Sequence, residues 1–194
     1  MKRSYSSLSL VWALVGTGVI GLSLSMVLTS DQRWVEWHIS RLGEGSGLAA
    51  AIFNFSLSLA GLILVLITMR MTDEIRHRNP NSSVTALRFL LLLTAVCWIG
   101  VACFPFDRFK LIHWIFGYTQ FFVIGFLMLR LKHLTAAFSA RTHAIGLMSA
   151  LVVAILMGLH HTIHLLPLLT VELVGELAVF VWLLSMAYDQ KPSR

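Results

Sequence analysis

Two histidines and two glutamates flank an apolar bend near the end of the chain, and the members of each pair are four residues apart. His160 and His164 precede the segment LLPLL, and Glu172 and Glu176 follow it. Because an α-helix turns once every 3.6 residues, each pair presents its side chains on one helical face. Histidines with this spacing suit Zn²⁺, and carboxylates serve as general bases or hydrogen-bond acceptors. The hairpin is therefore a candidate metal and catalytic site.

Three interpretations of this hairpin remain open. Folding the chain at the bend places His164 level with Glu172 and His160 level with Glu176. In the first interpretation, His–Glu hydrogen bonds only pin the hairpin, as polar pairs between membrane helices often do. In the second, the two histidines bind a metal such as zinc, with His113 or a carboxylate as the third ligand. In the third, the histidines ligate haem or carry protons.

A second group of candidates lies in the segment CFPFDRFKLIHW. Pro105 ends an apolar run, Asp107 follows it, and His113 opens the next apolar run. If His113 points into the protein, Asp107 is a candidate to orient its imidazole. The alternative is a simple ion pair between Asp107 and Arg108 or Lys110.

The polar segment DQRWVEWHISRLGEGSG, residues 31–47, is the third place where chemistry is possible. Ser40 is a candidate catalytic residue, and His38 and Trp37 are candidates for a lid that contacts substrate, since loops over a rigid scaffold often carry function. The alternative is an amphipathic interfacial segment anchored by Trp34 and Trp37.

The composition identifies the environment in which these residues act. Of the 194 residues, 57% are hydrophobic and 12% are charged, whereas roughly a quarter of a soluble domain is charged. The chain is therefore expected to be a membrane protein. Its net charge of +6 comes from short basic clusters between apolar runs and not from a continuous stripe, which argues against a nucleic-acid partner.

Six apolar segments are long enough, or nearly long enough, to cross a bilayer. Helices are expected because a segment in lipid must satisfy its own backbone groups, and the runs are too long for barrel strands. The sequence therefore predicts an all-α, polytopic membrane protein with one domain over residues 1–194. The predicted helices span residues 8–29, 47–69, 86–104, 112–131, 144–164 and 169–188.

The distribution of lysine and arginine predicts the orientation of the six helices. With both termini cytoplasmic, the inner segments hold 11 of these residues and the outer segments hold 4. This bias follows the positive-inside rule and predicts a multi-pass protein of the cell membrane, inner or plasma. The candidate residues then lie at the outer face, where membrane lipids are the expected partners. The oligomeric state stays open.

Two stretches carry a resemblance to a known family. The segments HISRLGEGSGLAAAIFNFSLSLAGLILVL and FPFD…IHWIFGYTQFF resemble the prokaryotic six-helix membrane family catalogued as domain of unknown function 998. The matching markers are the run from His38 to Gly43, the turn from Phe104 to Asp107, and His113. The resemblance implies six membrane helices and no particular activity.

A looser similarity concerns only the kinds of residue present. The superfamily of alkaline ceramidases and progestin/adiponectin receptors uses a serine, an aspartate and three histidines to hold zinc for the hydrolysis of lipid amides. This chain has similar residues in a comparable order, although it has six predicted helices where that superfamily has seven. The residues are Ser40, Asp107, His113, His160 and His164.

These observations lead to one principal functional hypothesis and two alternatives. The principal hypothesis is a metal-dependent hydrolase or transferase that acts on a lipid or lipid-linked substrate at the outer leaflet. Its metal ligands are His160, His164 and His113, and Glu172 or Glu176 is the general base. The alternatives are a non-enzymatic lipid-binding or structural subunit, and a haem or proton-relay protein.

Overall fold

Six α-helices form the protein in a computed structural model that describes residues 6–190, except for the side chains of Gln32 and Arg33. All six helices are long and apolar enough to cross a membrane, and the described residues contain no strand. The all-α prediction is therefore confirmed. The helices are α1 (Ser7–Leu28), α2 (Leu48–Arg78), α3 (Thr85–Cys103), α4 (Phe106–Leu134), α5 (Ala140–Ile163) and α6 (Leu168–Asp189).

The helices form an up-and-down ring. Each helix packs against its neighbours in sequence, and α6 closes the ring by packing against α1. At one end, the Ser7 hydroxyl donates to Glu74, and the Arg78 guanidinium donates to the carbonyl of Gln190. The first and last described helices therefore begin and end at the same end of the bundle, which we call the terminal end.

The side of the membrane that the terminal end faces stays a prediction. Lys2, Arg3, Lys191 and Arg194, which contribute to the predicted orientation, lie outside the described residues.

The core of the bundle contains large apolar side chains from several helices, including Leu64, Leu131 and Trp182, all fully buried. Other large apolar side chains point outward, among them Val27, which is 80% exposed, and Phe122, which is 76% exposed. Such a surface is costly in water but matches lipid tails, which are as apolar as leucine. The packing therefore agrees with a membrane environment.

Two helices extend well beyond the predicted apolar segments. Helix α2 continues from residue 69 to Arg78, and helix α4 begins at Phe106 instead of residue 112. Hydropathy marks the part of a helix that suits lipid, whereas backbone hydrogen bonding continues into polar sequence. Pro105 precedes α4 because the first residues of a helix need no partner for a backbone N–H.

The early start of α4 corrects the predicted position of Asp107. The sequence places Asp107 in a loop, but the structure places it in the first turn of α4. Between Asp107 and His113 the helix is interrupted at Phe109, whose φ of −132° and ψ of 47° are not helical. The two side chains consequently do not share one continuous helical face.

Candidate active site

The loop between α1 and α2, residues 29–47, folds over the end of the bundle opposite the terminal end. It contains two 3₁₀ helices, Gln32–Val35 and Ile39–Gly43. Ile39 and Leu42 are buried against Phe53 of α2 and Leu169 of α6. The loop is therefore part of the packed structure and closes this end of the ring.

Backbone hydrogen bonds attach this loop to α6. The amide of Leu169 donates to the carbonyl of Trp37 at 3.0 Å, and the amide of Ile39 donates to the Glu172 carboxylate. The Ile39 amide lies in the first turn of a 3₁₀ helix, where it has no partner within its own helix. Glu172 therefore satisfies a backbone donor between His38 and Ser40.

Two further hydrogen bonds attach the loop to α2 and α4. The Asn54 side chain donates to the carbonyl of Gly43 at 2.9 Å, and the amide of Gly45 donates to Asp107 Oδ2 at 3.2 Å. Asp107 Oδ2 also lies 3.9 Å from Arg108 Nε, which agrees with the predicted ion pair between these two residues. Its direct role in the structure is to hold the loop.

Ser40 lies between two histidines at the centre of this arrangement. Its Oγ is 2.9 Å from His38 Nδ1 and 2.9 Å from His113 Nε2. The other ring nitrogen of His113, Nδ1, is 2.8 Å from the carbonyl oxygen of Phe104. All three side chains are buried. The structure thus joins residues from the loop and from α4 into one polar cluster.

The positions of the hydrogens in this cluster follow from the chemistry of the partners. A carbonyl oxygen only accepts, so His113 Nδ1 carries a hydrogen and donates it to Phe104. In the neutral imidazole Nε2 is then an acceptor, and the hydroxyl of Ser40 donates its single hydrogen to it in a hydrogen bond. His38 Nδ1 must therefore donate to Ser40 Oγ. Donation runs from His38 through Ser40 to His113.

The electrostatics of His38 agree with this assignment. Burial, followed by the nearby His113 and Arg41, lowers the pKa of His38 from 6.5 to about 4. His38 is consequently neutral at pH 7, with its one ring hydrogen on Nδ1. Its Nε2 is buried and has no hydrogen-bond partner in the described part of the chain.

The Phe106 ring covers the cluster on the side of α4. The Phe106 ring makes edge contacts with both imidazoles, at centroid distances of 5.1 Å to His38 and 5.7 Å to His113. Lys110 Nζ lies 5.6 Å from the same ring and 5.2 Å from the Trp114 ring. Phe106 therefore separates the histidines from a cation near the surface.

The predicted lid residue Trp37 lies at the surface of the loop. Its side chain is exposed, and the Arg41 guanidinium lies 4.9 Å from its ring centroid. The other predicted lid residue, His38, is buried inside the polar cluster. The two residues therefore have different surroundings although they are adjacent in sequence.

The histidine pair of the α5–α6 hairpin is arranged differently from the predicted helical pair. His160 Nδ1 is 2.8 Å from the carbonyl oxygen of Leu166, so it donates there. His164 caps α5 in a left-handed conformation with φ of 52°, and its side chain is exposed. Within residues 6–190, no hydrogen bond or ion pair joins this pair to Glu172 or Glu176.

The zinc hypothesis finds no support in the arrangement of donors. Among residues 6–190, no three histidine, cysteine, aspartate or glutamate side chains are close enough together to hold a metal ion. Both ring nitrogens of His113 form hydrogen bonds. Zinc binding by His160 and His164 therefore stays a prediction, and elemental analysis of the purified protein beside the His160→Ala and His164→Ala double variant is its test.

Sequence reasoning named Ser40, His38 and His113 but missed two of the groups that hold them in place. The Phe104 carbonyl orients His113, and a backbone group gives no signal in sequence. Asn54 holds the loop at Gly43. The only signal for Asn54 in the sequence was its amide side chain in an apolar helix. Packing between helices explains such a residue equally well.

Six helices of membrane-spanning length, closed at one end by a packed loop, define a multi-pass integral membrane protein. No family model, curated protein or solved structure matches the chain. The resemblances to domain of unknown function 998 and to the ceramidase and receptor superfamily therefore stay predictions.

Proposed function

We propose that this protein is a membrane-embedded hydrolase or transferase that uses Ser40 as a nucleophile on an ester bond of a lipid or lipid-linked substrate. One observation carries this proposal: Ser40 Oγ lies 2.9 Å from His113 Nε2, and the opposite nitrogen of His113 is held by the Phe104 carbonyl. A serine nucleophile needs a base within hydrogen-bond reach and a third group that orients the base. These three groups supply that arrangement.

In the first half of the reaction, Ser40 Oγ attacks the ester carbonyl carbon and its proton moves to His113 Nε2. The imidazolium that forms is stabilised by the Phe104 carbonyl, which accepts from Nδ1 in both charge states. His113 Nε2 then gives the proton to the departing alkoxide oxygen. The products of this half are an alcohol and an acyl group bound to Ser40.

In the second half, an acceptor hydroxyl attacks the acyl carbon and gives its proton to His113 Nε2. The Ser40 oxygen leaves and recovers that proton, which restores the starting state. Water as the acceptor makes the protein a hydrolase, and a lipid alcohol makes it a transferase. Both outcomes use the same residues, so the cluster does not choose between them.

His38 has a supporting part in this proposal. Its Nδ1–H donates to Ser40 Oγ and stabilises negative charge on that oxygen while the proton is transferred. Because the lowered pKa keeps His38 neutral, it adds no full positive charge beside His113. A neutral donor of this kind favours the alkoxide without repelling the imidazolium of His113.

The surroundings of the cluster support a lipid substrate. Exposed apolar side chains lie on α4 within four residues of His113 in the sequence, including Phe109, Leu111 and Trp114. Ser40 itself is only 8% exposed, so the α1–α2 loop must move to admit a substrate. We expect Gly45 to be the hinge of this movement, because its φ of +78° is readily accessible to glycine.

The proposal is tested by turnover of fluorogenic long-chain esters and a quenched fluorescent phospholipid by the purified protein in liposomes. We expect ester cleavage by the natural protein and background rates from Ser40→Ala. The matched control is Ser46→Ala, which removes an exposed hydroxyl from the same loop and should keep the natural rate.

Two results contradict the proposal. One is equal turnover by the natural protein and Ser40→Ala, which places the reaction elsewhere. The other is a folded natural protein that cleaves none of the esters, which leaves the cluster with a structural role only. Thermal unfolding of each variant establishes that it is folded.

A further inference from the structure

The hairpin formed by α4 and α5 carries a group of basic side chains at the terminal end of the bundle. Its connection is joined to the end of α6, because the Ser139 amide donates to Asp189 Oδ2 at 2.7 Å. This carboxylate is therefore engaged by a backbone group. Four exposed basic residues flank the connection: Arg130, Lys132, His133 and Arg141. They lie at the opposite end of the protein from Ser40.

These basic side chains have no carboxylate partner in the part of the chain that the structure describes. On the neighbouring α2–α3 hairpin, by contrast, Arg70 pairs with Glu74, and another arginine pairs with Asp73. The residues outside the description, 1–5 and 191–194, include no aspartate or glutamate. None of their side chains therefore supplies a missing carboxylate, and the α4–α5 hairpin has cations without matching side-chain anions.

The lipid-facing surface of α4 leads to one of these cations. Phe122 and Phe126 are exposed, and Arg130 follows them at the same spacing of four residues. Side chains four residues apart are neighbours on one face of a helix. The inward face of the same helix carries Leu127 and Leu131, which are fully buried. Arg130 therefore ends an exposed apolar stripe on α4.

Helix α5 has the same arrangement. Arg141, Met148 and Ile155 follow one another at intervals of seven residues, or nearly two helical turns, and all three are exposed. The other face of α5 packs inside the bundle, because a Cβ added at Gly146 would lie 2.8 Å from Trp182 Nε1. Each helix of the hairpin therefore presents an apolar stripe to lipid, with an arginine at its terminal end.

The cations of the hairpin lie in one narrow layer near the helix ends. Arg130 is four residues from the end of α4 at Leu134, and Arg141 follows the first residue of α5, Ala140. At 1.5 Å per residue these separations are about 6 Å and about 1.5 Å. A headgroup layer is about 5–7 Å thick, since a bilayer of roughly 40–45 Å has a hydrocarbon core of roughly 30 Å. A single headgroup layer can therefore hold all of these cations.

We propose that the α4–α5 hairpin binds anionic phospholipid, with phosphate groups at Arg130, Lys132 and Arg141 and acyl chains along the two exposed stripes. Basic side chains at a membrane surface attract anionic lipid, and each strengthens binding about fivefold. A zwitterionic headgroup also brings an ammonium group, for which the described part of this hairpin offers no carboxylate.

The apolar stripes decide between a lipid and an acidic protein segment. A protein segment would contact the cations but leave the stripes beneath them uncovered, whereas a phospholipid covers both with one molecule. The continuity of the charge with the lipid-facing surface therefore favours a lipid. This site goes beyond the proposed function and does not depend on it, because the hairpin cations and Ser40 lie at opposite ends of the bundle.

Competition between two lipids with identical acyl chains tests the proposal. Palmitoyl-oleoyl phosphatidylglycerol has a net negative charge, and palmitoyl-oleoyl phosphatidylcholine is neutral overall. Native mass spectrometry of the detergent-purified protein measures how much of each lipid binds from an equal mixture. We expect at least about a tenfold preference for the glycerol lipid. The preference should fall as the ammonium acetate concentration is raised, because salt screens exposed charges.

A third probe tests the part of the acyl chains. Glycerophosphoglycerol has the headgroup of the glycerol lipid without its chains, and we expect it to bind much more weakly than the lipid. Binding as tight as that of the lipid would overturn the proposal, because the apolar stripes would then contribute nothing.

Substitutions on the hairpin connect the lipid preference to its cations. Arg130→Gln and Arg141→Gln should each lower the preference about fivefold, whereas Arg130→Lys and Arg141→Lys keep the charge and should retain most of it. The matched control is Arg76→Gln, at an exposed arginine near the end of α2, and it should leave the preference unchanged. Ser40→Ala should also leave it unchanged, so failure of this proposal is distinguishable from failure of the proposed function.

Two further results would overturn the proposal. Equal binding of both lipids by the natural protein would assign the cations to solvent or to an acidic protein partner. Equal effects of Arg76→Gln and Arg141→Gln would indicate attraction by the net charge of the chain and no site on this hairpin. If a glutamine variant does not fold, the preference of the natural protein and its dependence on salt still decide the question.

Discussion

Ser40 receives a hydrogen bond from one imidazole and donates one to another, and this asymmetry gives the cluster its direction. The Phe104 carbonyl fixes His113 as the acceptor, and the single hydroxyl hydrogen then fixes His38 as the donor. His38 and His113 therefore have different roles although both are neutral imidazoles. Only the second, His113, can take a proton from Ser40.

The depressed pKa of His38 makes the folded protein sensitive to acid. The folded state holds the pKa near 4 and an unfolded chain restores it to about 6.5, so the unfolded state binds more protons between these values. Stability from this group is fully present above pH 6.5 and is lost as the pH falls toward 4. We expect the unfolding temperature to fall over this window, and less steeply in His38→Gln.

Differential scanning calorimetry of both proteins from pH 7.5 to pH 4 checks this expectation. Comparison with His38→Gln removes the contribution of the histidines outside the polar cluster, which the substitution does not touch. Parallel curves for the two proteins would contradict the assignment of the acid sensitivity to His38.

The side chains of the cluster were predictable from sequence, but their arrangement was not. Ser40 and His38 were candidates because they are polar residues in a loop beside apolar helices, and His113 because it opens an apolar run. Their meeting depends on how the loop folds over the ring. For the hairpin histidines, the spacing in the sequence was misleading. Helix α5 ends at Ile163, so His160 and His164 do not lie on one helical face.

Glu172 holds the start of the 3₁₀ helix Ile39–Gly43. Because the Glu172 carboxylate accepts from the Ile39 amide, we expect Glu172→Leu to free this amide and loosen the loop. Glu172→Gln keeps an acceptor oxygen at the same place and should preserve the contact. Loss of one buried hydrogen bond of this kind costs about 1–3 kcal/mol.

Hydrogen–deuterium exchange of peptides from residues 31–47 measures this effect. Exchange should be faster in Glu172→Leu and near the natural rate in Glu172→Gln. Equal protection of the loop in Glu172→Leu and the natural protein would show that the carboxylate does not hold it.

Close packing between α2 and α3 depends on Gly61. A Cβ added there would lie 2.6 Å from Ile99 Cγ1 and 2.9 Å from the backbone oxygen of Ala95, so the helices would have to move apart. We expect Gly61→Ala to destabilise the protein by about 1–3 kcal/mol. Gly125→Ala is the matched control, because a Cβ there meets no atom within 4 Å.

Thermal unfolding in detergent compares the two glycine variants. Gly61→Ala should unfold at a lower temperature than the natural protein, and Gly125→Ala at the same temperature or slightly above it. Equal unfolding temperatures for the two variants would contradict the packing of α2 against α3.

The existence of all six helices was predictable from hydropathy, whereas their ends were not. Apolar composition identifies the segment that suits lipid, so α1 and α3 differ from prediction by one residue at each end. Helices α2 and α4 carry polar extensions that hydropathy does not detect. For α4 the difference affects the site, because it moves Asp107 into the helix and into contact with Gly45.

The bundle as a whole has two chemically different ends. Arginine side chains such as Arg70, Arg78 and Arg88 gather at the terminal end, while the polar cluster and the packed loop lie at the other. By the positive-inside rule, the terminal end is expected to face the cytoplasm. The sequence predicts this orientation from its basic residues, and the structure shows only that the two ends differ.

Labelling of single cysteines in intact cells tests the orientation. In a background that lacks Cys97 and Cys103, Ser46→Cys should react with a membrane-impermeant maleimide added from outside. Ser83→Cys, in the loop between α2 and α3, should react only after the cells are opened. The reverse pattern would contradict the predicted orientation.

The most direct measurement of Ser40 as an activated nucleophile is covalent labelling with a long-chain fluorophosphonate, followed by peptide mass spectrometry. At pH 7.5 the natural protein in liposomes should carry one adduct, on Ser40, and Ser40→Ala should carry none. His113→Gln should label at least about 100-fold more slowly, because the general base is removed. A folded natural protein without an adduct on Ser40, or equal labelling of His113→Gln, would contradict the proposed chemistry.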